Sequence, residues 1–135
     1  YLTCQAVLPG MMARRWGRIV NIASEWGITG GAGATHYSAA KAGVIGLTRA
    51  LAREVAAHGV LVNAIAPGVT DTDQLRVDAD YAGVPFDEYK RGLAAQTPTG
   101  RIGRPRDVAL TVLMLSLESG DHYSGQVFCP NGGSS

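Results

Sequence analysis

One pattern constrains this chain more than any other: a short apolar run over residues 18–23, a long helical segment over 36–57, and a second apolar run over 60–66. Arg18-Ile19-Val20-Asn21-Ile22-Ala23 is nearly continuous in apolar and β-branched residues, which predicts a central parallel strand covered on both faces. Val60-Leu61-Val62-Asn63-Ala64-Ile65-Ala66 has the same character and stops at Pro67-Gly68. Parallel strands need a crossover to return the chain, and the helical segment supplies one, making a right-handed βαβ unit. The fold class is therefore α/β, with parallel strands and helices between them.

The remaining segments fit around that unit. Residues 1–15 are expected to be helical, with Pro9-Gly10 weakening or kinking the helix. Residues 25–35, rich in Gly, Ala and Thr, read as a loop from strand to helix. Along 36–57, Ala40, Val44, Leu47, Leu51 and Val55 form one stripe, and His58-Gly59 closes the helix, with imidazolium suited to its C-terminal dipole. Ala39, Ala42, Gly43, Gly46 and Ala50 line the opposite face, which predicts burial on both sides: one against the sheet, the other against a second helix from another subunit. Residues 69–99 are polar and irregular, the pattern of a mobile lid with short helices. A further helix starts after Pro105 and ends near Ser119-Gly120, and residues 126–129 form a last short strand.

At 135 residues, 46% apolar and 17% charged, the chain suits one compact domain. Its net charge of +1, without a basic stripe, argues against nucleic acid or an anionic membrane as partner. The opening apolar residues lack a preceding basic region and are interrupted at Pro9-Gly10, too early for a membrane span. Cys4 and Cys129 are too far apart in sequence for a metal-ligand spacing or a disulfide framework, and a reducing, cytoplasmic setting is expected. His36, His58 and His122 include no i, i+4 pair, so no metal site is expected. Because the chain opens without Met and within a helical segment, the start of the gene product is expected to lie upstream.

The candidate chemistry gathers at the element ends. Tyr37 and Lys41 are four residues apart, so phenol and ammonium share a helix face. Lys41 is the only charged residue between Glu25 and Arg49, and an ammonium on so apolar a turn needs a partner, a role a ligand can fill. Its charge favours a phenolate at Tyr37, a candidate general acid/base; in isolation the pair also reads as an exposed helix pair. Ser24 ends a parallel strand, at the edge where open α/β sheets bind ligands. Its hydroxyl either donates to a carbonyl oxygen or bonds the loop backbone. Pro67-Gly68 is either a plain tight turn or a backbone surface for a planar amide, with Thr70 or Thr72 meeting a carboxamide or phosphate oxygen. Trp26 lines a substrate cavity or simply packs.

Together these residues resemble the short-chain dehydrogenase/reductase family. Gly17-Arg18-Ile19-Val20-Asn21-Ile22-Ala23-Ser24 resembles its catalytic-serine strand, and Tyr37-Ser38-Ala39-Ala40-Lys41 its Tyr-x-x-x-Lys signature, thirteen residues after the serine. Val62-Asn63-Ala64-Ile65-Ala66-Pro67-Gly68 is similar to its Pro-Gly motif beside the nicotinamide. Gly100-Arg101-Ile102-Gly103-Arg104-Pro105-Arg106-Asp107-Val108-Ala109 and Ser124-Gly125-Gln126-Val127 resemble its closing helix and strand. Ala23, Thr70 and Asn131 depart from the usual residues without removing a catalytic group.

The resemblance implies an NAD(P)-dependent oxidoreductase that interconverts a secondary alcohol and a ketone by hydride transfer, either 3-oxoacyl reductase-like or a small hydroxy-compound dehydrogenase. It implies Tyr37 as acid/base, Lys41 on the nicotinamide ribose and Ser24 polarising the carbonyl. Tyr37, Lys41, Pro67, Gly68, Val69, Thr70 and Thr72 would bind the cofactor, and Ser24, Trp26 and Tyr37 the substrate. The Gly-x-x-x-Gly-x-Gly phosphate loop and the residues that choose NAD or NADP would lie upstream of Tyr1. Residues 1–135 would then be the C-terminal part of one Rossmann-like domain, the last three strands of a doubly wound parallel sheet with intervening helices, with a bare edge at residues 18–23 and homo-oligomer contacts, dimeric or tetrameric, through helices 1–15 and 36–57. Two rivals remain: a hydrolase with Ser24 as nucleophile, which lacks a Gly-x-Ser-x-Gly elbow, and a non-catalytic dinucleotide-binding or oligomer-forming remnant of the same fold.

Overall fold

The computed structural model describes residues 1–135. Strands β1 (Gly17–Ile22), β2 (Val60–Ile65) and β3 (Val127–Phe128) form an all-parallel sheet in that order. Helix α3 (Thr35–Val55) makes the crossover from β1 to β2. At the sheet centre, Val60, Val62, Ala64 and Ile65 of β2 are fully buried. β1, which the sequence places centrally, pairs only with β2 and leaves Ile22 45% exposed, because no strand of this chain lies beyond it. That is the bare edge the resemblance implies.

Helix α1 (Leu2–Ala13) continues through Pro9 and buries only Cys4. Cys4 joins Leu51, Ala52 and Val55 of α3 and Val60 and Val62 of β2 in the larger core cluster, with Leu8, Met11, Met12 and Ile19 at its margin. The buried stripe of α3 is Ile45, Thr48, Leu51, Ala52 and Val55, rotated from the expected one, and Ala40 is exposed. Thr48 tolerates full burial because its hydroxyl donates to the Val44 carbonyl (2.8 Å) and accepts from Asn21 Nδ2 (2.9 Å). Ala39, Ala42, Gly43, Gly46 and Ala50 are exposed, so the expectation of burial on both sides is not met within one chain.

After a 3-10 turn at Ala56–His58, Gly59 reverses the chain in the left-handed region at φ 77°. A Cβ there would stand 2.2 Å from the Arg15 carbonyl oxygen. Gly59→Ala is therefore expected to lower stability by about 2–4 kcal/mol, read as a shifted urea midpoint with unchanged slope.

Two segments read as irregular contain helices. Within residues 25–35 lies α2 (Trp26–Thr29), and residues 69–99 fold into α4 (Asp73–Ala82) and α5 (Phe86–Gln96), the short helices expected of that stretch. Helix α6 (Pro105–Ser116) takes Pro105 in its first turn, and a 3-10 turn at Glu118–Gly120 follows it. Asn63, buried in β2, aligns β3: its Nδ2 donates to the Tyr123 carbonyl (2.8 Å) and its Oδ1 accepts from the Gln126 N–H (3.0 Å).

The start of α6 is secured by Asp107, whose carboxylate accepts from Arg101 (2.7 Å) and from the Arg104 backbone N–H (2.9 Å). These bonds, the Arg101 one foremost, hold its pKa below the ordinary 3.8. A lowered folded-state value means that this stabilisation is present above the ordinary carboxylate range and is lost as pH falls through the folded value. Asp107→Asn is thus expected to lower the melting temperature at pH 7, with the difference closing below pH 3.8; a difference independent of pH would contradict it.

Candidate active site

The site forms where β1 and β2 end. Their pairing continues past both strands, with the Ala23 N–H donating to the Ile65 carbonyl (2.7 Å) and the Glu25 N–H to the Pro67 carbonyl (3.0 Å). Ser24 is thereby held between two backbone bonds, directly beside the Pro67-Gly68 turn. Above it opens a cavity of about 820 Å³. Ser24, Trp26, Tyr37, Lys41, Pro67, Gly68, Val69, Thr70 and Thr72, all singled out from sequence, line this one cavity. Residues from α4 and α5, including Leu75, Asp78, Tyr89 and Leu93, form its far wall.

Individual side chains refine the expectations. Lys41 Nζ donates to the Ile22 carbonyl (3.0 Å) and lies 5.5 Å from the Tyr37 ring centre, so protein groups engage one of its donors and leave the others for a ligand. Tyr37 is 39% exposed and packs edge-to-face on Trp26, with ring centres 6.1 Å apart. Trp26 thus both packs and lines the cavity. The Ser24 hydroxyl accepts from the Trp26 N–H (3.2 Å), the loop-backbone bond that was one of its two readings. That is its only hydrogen bond in the chain, so no base holds it as a nucleophile, while its own proton remains available to a ligand oxygen.

The Thr70 hydroxyl donates a hydrogen bond to the Gly68 carbonyl (3.0 Å) rather than to a ligand oxygen, which leaves its lone pairs to accept from an amide. Residues flanking Thr70 bond to Gly103 on both sides, through Gly103 N to Val69 O (2.8 Å) and Asp71 N to Gly103 O (2.9 Å). Thr72 begins α4 with its hydroxyl unengaged. α2 lies so close to α3 that a Cβ on Gly27 would stand 2.7 Å from the Lys41 carbonyl carbon. Gly27→Ala is expected to displace Lys41 and lower stability by about 1–3 kcal/mol, measurable as a urea-midpoint shift.

Sequence reasoning missed Glu25. The residue is buried (9% exposed), and its carboxylate accepts from the Ser134 hydroxyl (2.5 Å) and lies beside Gly68 in the lining of the cavity. An acid immediately after an apolar strand and Ser24, with no nearby cation in sequence, was the available signal. No group of three or more His, Cys, Asp or Glu side chains is placed to hold a metal ion, and no helix is long and apolar enough to cross a membrane.

A parallel sheet with helices on both sides and a cavity at its carboxyl edge defines an α/β protein of the doubly wound, Rossmann-like class. The family model described as enoyl-(acyl carrier protein) reductase matches residues 1–135. The chain belongs to the short-chain dehydrogenase/reductase family. It is 44% identical over 129 residues to 3-oxoacyl-(acyl-carrier-protein) reductase of Vibrio cholerae, covering 96% of this chain and 50% of that protein. The same enzyme of Aquifex aeolicus is 44% identical over 133 residues, covering 98% and 51%. A solved structure of ElxO with NADP bound superposes with a TM-score of 0.87 at 30% identity, covering 97% of this chain and 51% of that one. The chain spans about half the length of the curated relatives it matches.

Proposed function

We propose that this chain is the catalytic C-terminal half of an NAD(P)-dependent oxidoreductase interconverting a secondary alcohol and a ketone. The observation that carries this reading is the convergence of Ser24, Tyr37, Lys41 and the 67–72 loop on one cavity at the sheet's carboxyl edge. In it, Ser24 donates a hydrogen bond from its free O–H to the substrate oxygen and polarises the carbonyl, keeping its own proton. Tyr37 passes its phenolic proton to that oxygen in reduction and takes it back in oxidation. Lys41, on the same helix face, holds the nicotinamide ribose. When bound, the cofactor supplies or accepts the hydride.

The residues present suit the nicotinamide end of such a cofactor. Pro67 and Gly68 offer a flat backbone surface, Thr70 an acceptor for a carboxamide N–H, and Thr72 a free hydroxyl. The phosphate-binding glycine loop and the choice between NAD and NADP are assigned to residues upstream of Tyr1. Trp26 and the wall from α4 and α5 form the substrate side. The relatives' names and the apolar share of the cavity support a 3-oxoacyl thioester as substrate, with a small hydroxy compound as the other candidate. The reading includes a homodimer or homotetramer built through the exposed outer faces of α1 and α3, and a cytoplasmic setting in keeping with two free cysteines.

The test is nicotinamide absorbance during incubation of the enzyme, with its upstream half, with 3-oxoacyl thioesters and a panel of secondary alcohols and ketones. Turnover on members of this panel is expected. No signal with either cofactor on any member would overturn the reading in favour of a non-catalytic protein of the same fold.

A further inference from the structure

Glu25 has no role in the chemistry above, yet it is buried in the lining of the site. A buried carboxylate is costly unless a cation or several donors satisfy it. Glu25 forms no salt bridge, and its side chain accepts one hydrogen bond, from Ser134. Its Oε2 lies 3.1 Å from where a Cβ on Gly68 would stand, and its backbone N–H is bonded to the Pro67 carbonyl. The carboxylate therefore lies against the turn proposed to face the nicotinamide. The only Lys or Arg lining the cavity is Lys41, already engaged by the Ile22 carbonyl and the Tyr37 ring.

Resting on the cofactor reading above, we propose that Glu25, through its carboxylate against Gly68, makes this site favour the oxidised, cationic nicotinamide ring over the reduced, neutral one. Partial burial and, secondarily, the nearby Glu25 carboxylate also hold the Cys129 thiol above its ordinary range. An acid at this position interacts with a unit positive charge in one redox form and with none in the other, so it contributes a differential affinity. A purely structural role would alter binding of both forms alike. Because transfer of one hydride to the carbonyl carbon would leave the ring positive, the same carboxylate would assist ketone reduction.

The experiment compares dissociation constants of the oxidised and reduced cofactors for the enzyme with its upstream half and for Glu25→Gln. The substitution is expected to weaken the oxidised form about fivefold or more while changing the reduced form less than about twofold. Glu25→Asp and Ser134→Ala, which keep the charge, are expected to hold the ratio within about twofold, and they keep the inference testable if Glu25→Gln does not fold. Thiol labelling of exposed Cys129 against pH provides a reading without cofactor: removing the Glu25 charge moves its titration downward. Parallel weakening of both cofactor forms, an unchanged ratio in Glu25→Gln, or a fallen ratio in either charge-keeping variant overturns the role assigned to Glu25 alone. Failure of the unsubstituted enzyme to bind either form overturns the cofactor reading and this inference together.

Discussion

Tyr37→Phe is expected to lower turnover by about 10²- to 10⁴-fold while leaving cofactor affinity nearly unchanged. The substitution deletes one oxygen and its proton but keeps the ring that packs on Trp26 and underlies the Lys41 ammonium. With 39% of the residue exposed, removing the hydroxyl opens no internal void, so stability is expected to hold. Steady-state kinetics, cofactor titration and a urea melt together separate these effects. Turnover within a few-fold of the unsubstituted enzyme would remove Tyr37 from the proton-transfer role. A fall in cofactor affinity matching the fall in turnover would make it a binding residue instead.

Ile65→Ala is expected to cost about 2–5 kcal/mol of stability. Ile65 is completely buried and sits in register between Ile22 of β1 and Phe128 of β3. Its carbonyl accepts the Ala23 N–H that holds the Ser24 loop, and it lies two residues before Pro67. Truncation therefore leaves a cavity at the centre of the sheet, directly below the site. Chemical denaturation should show the loss, and activity should fall at temperatures where the unsubstituted enzyme is still folded. A cost below about 1 kcal/mol would mean that the neighbouring strands collapse into the space.

The architecture was legible wherever the signal was local and repeated. Residues 18–23 and 60–66 read as strands because β-branched apolar runs bounded by loops have few other uses, and the crossover followed from their separation. The candidate site was legible because Ser24 and Pro67-Gly68 sit at strand ends and Tyr37 and Lys41 at helical spacing, positions that topology brings to one edge. Less was legible where a side chain's surroundings come from distant segments. The stripe of α3 was misplaced because Thr48, polar by type, is buried once Asn21 and the Val44 carbonyl satisfy it. α2 was hidden by Gly27, a poor helix former that is needed there for its close approach to Lys41.

Spacing and strand-end position thus specified the βαβ unit and singled out Ser24, Tyr37 and Lys41, and the motifs around them carried the resemblance to the family, since each depends on residues near one another in the chain. Packing decided the partners. Only in the folded chain does Lys41 meet the Ile22 carbonyl, Thr70 turn its proton onto Gly68, and Glu25 reach both Ser134 and Gly68. The last of these joins residues 109 positions apart, a proximity that no local pattern encodes because it exists only when three parallel strands end side by side.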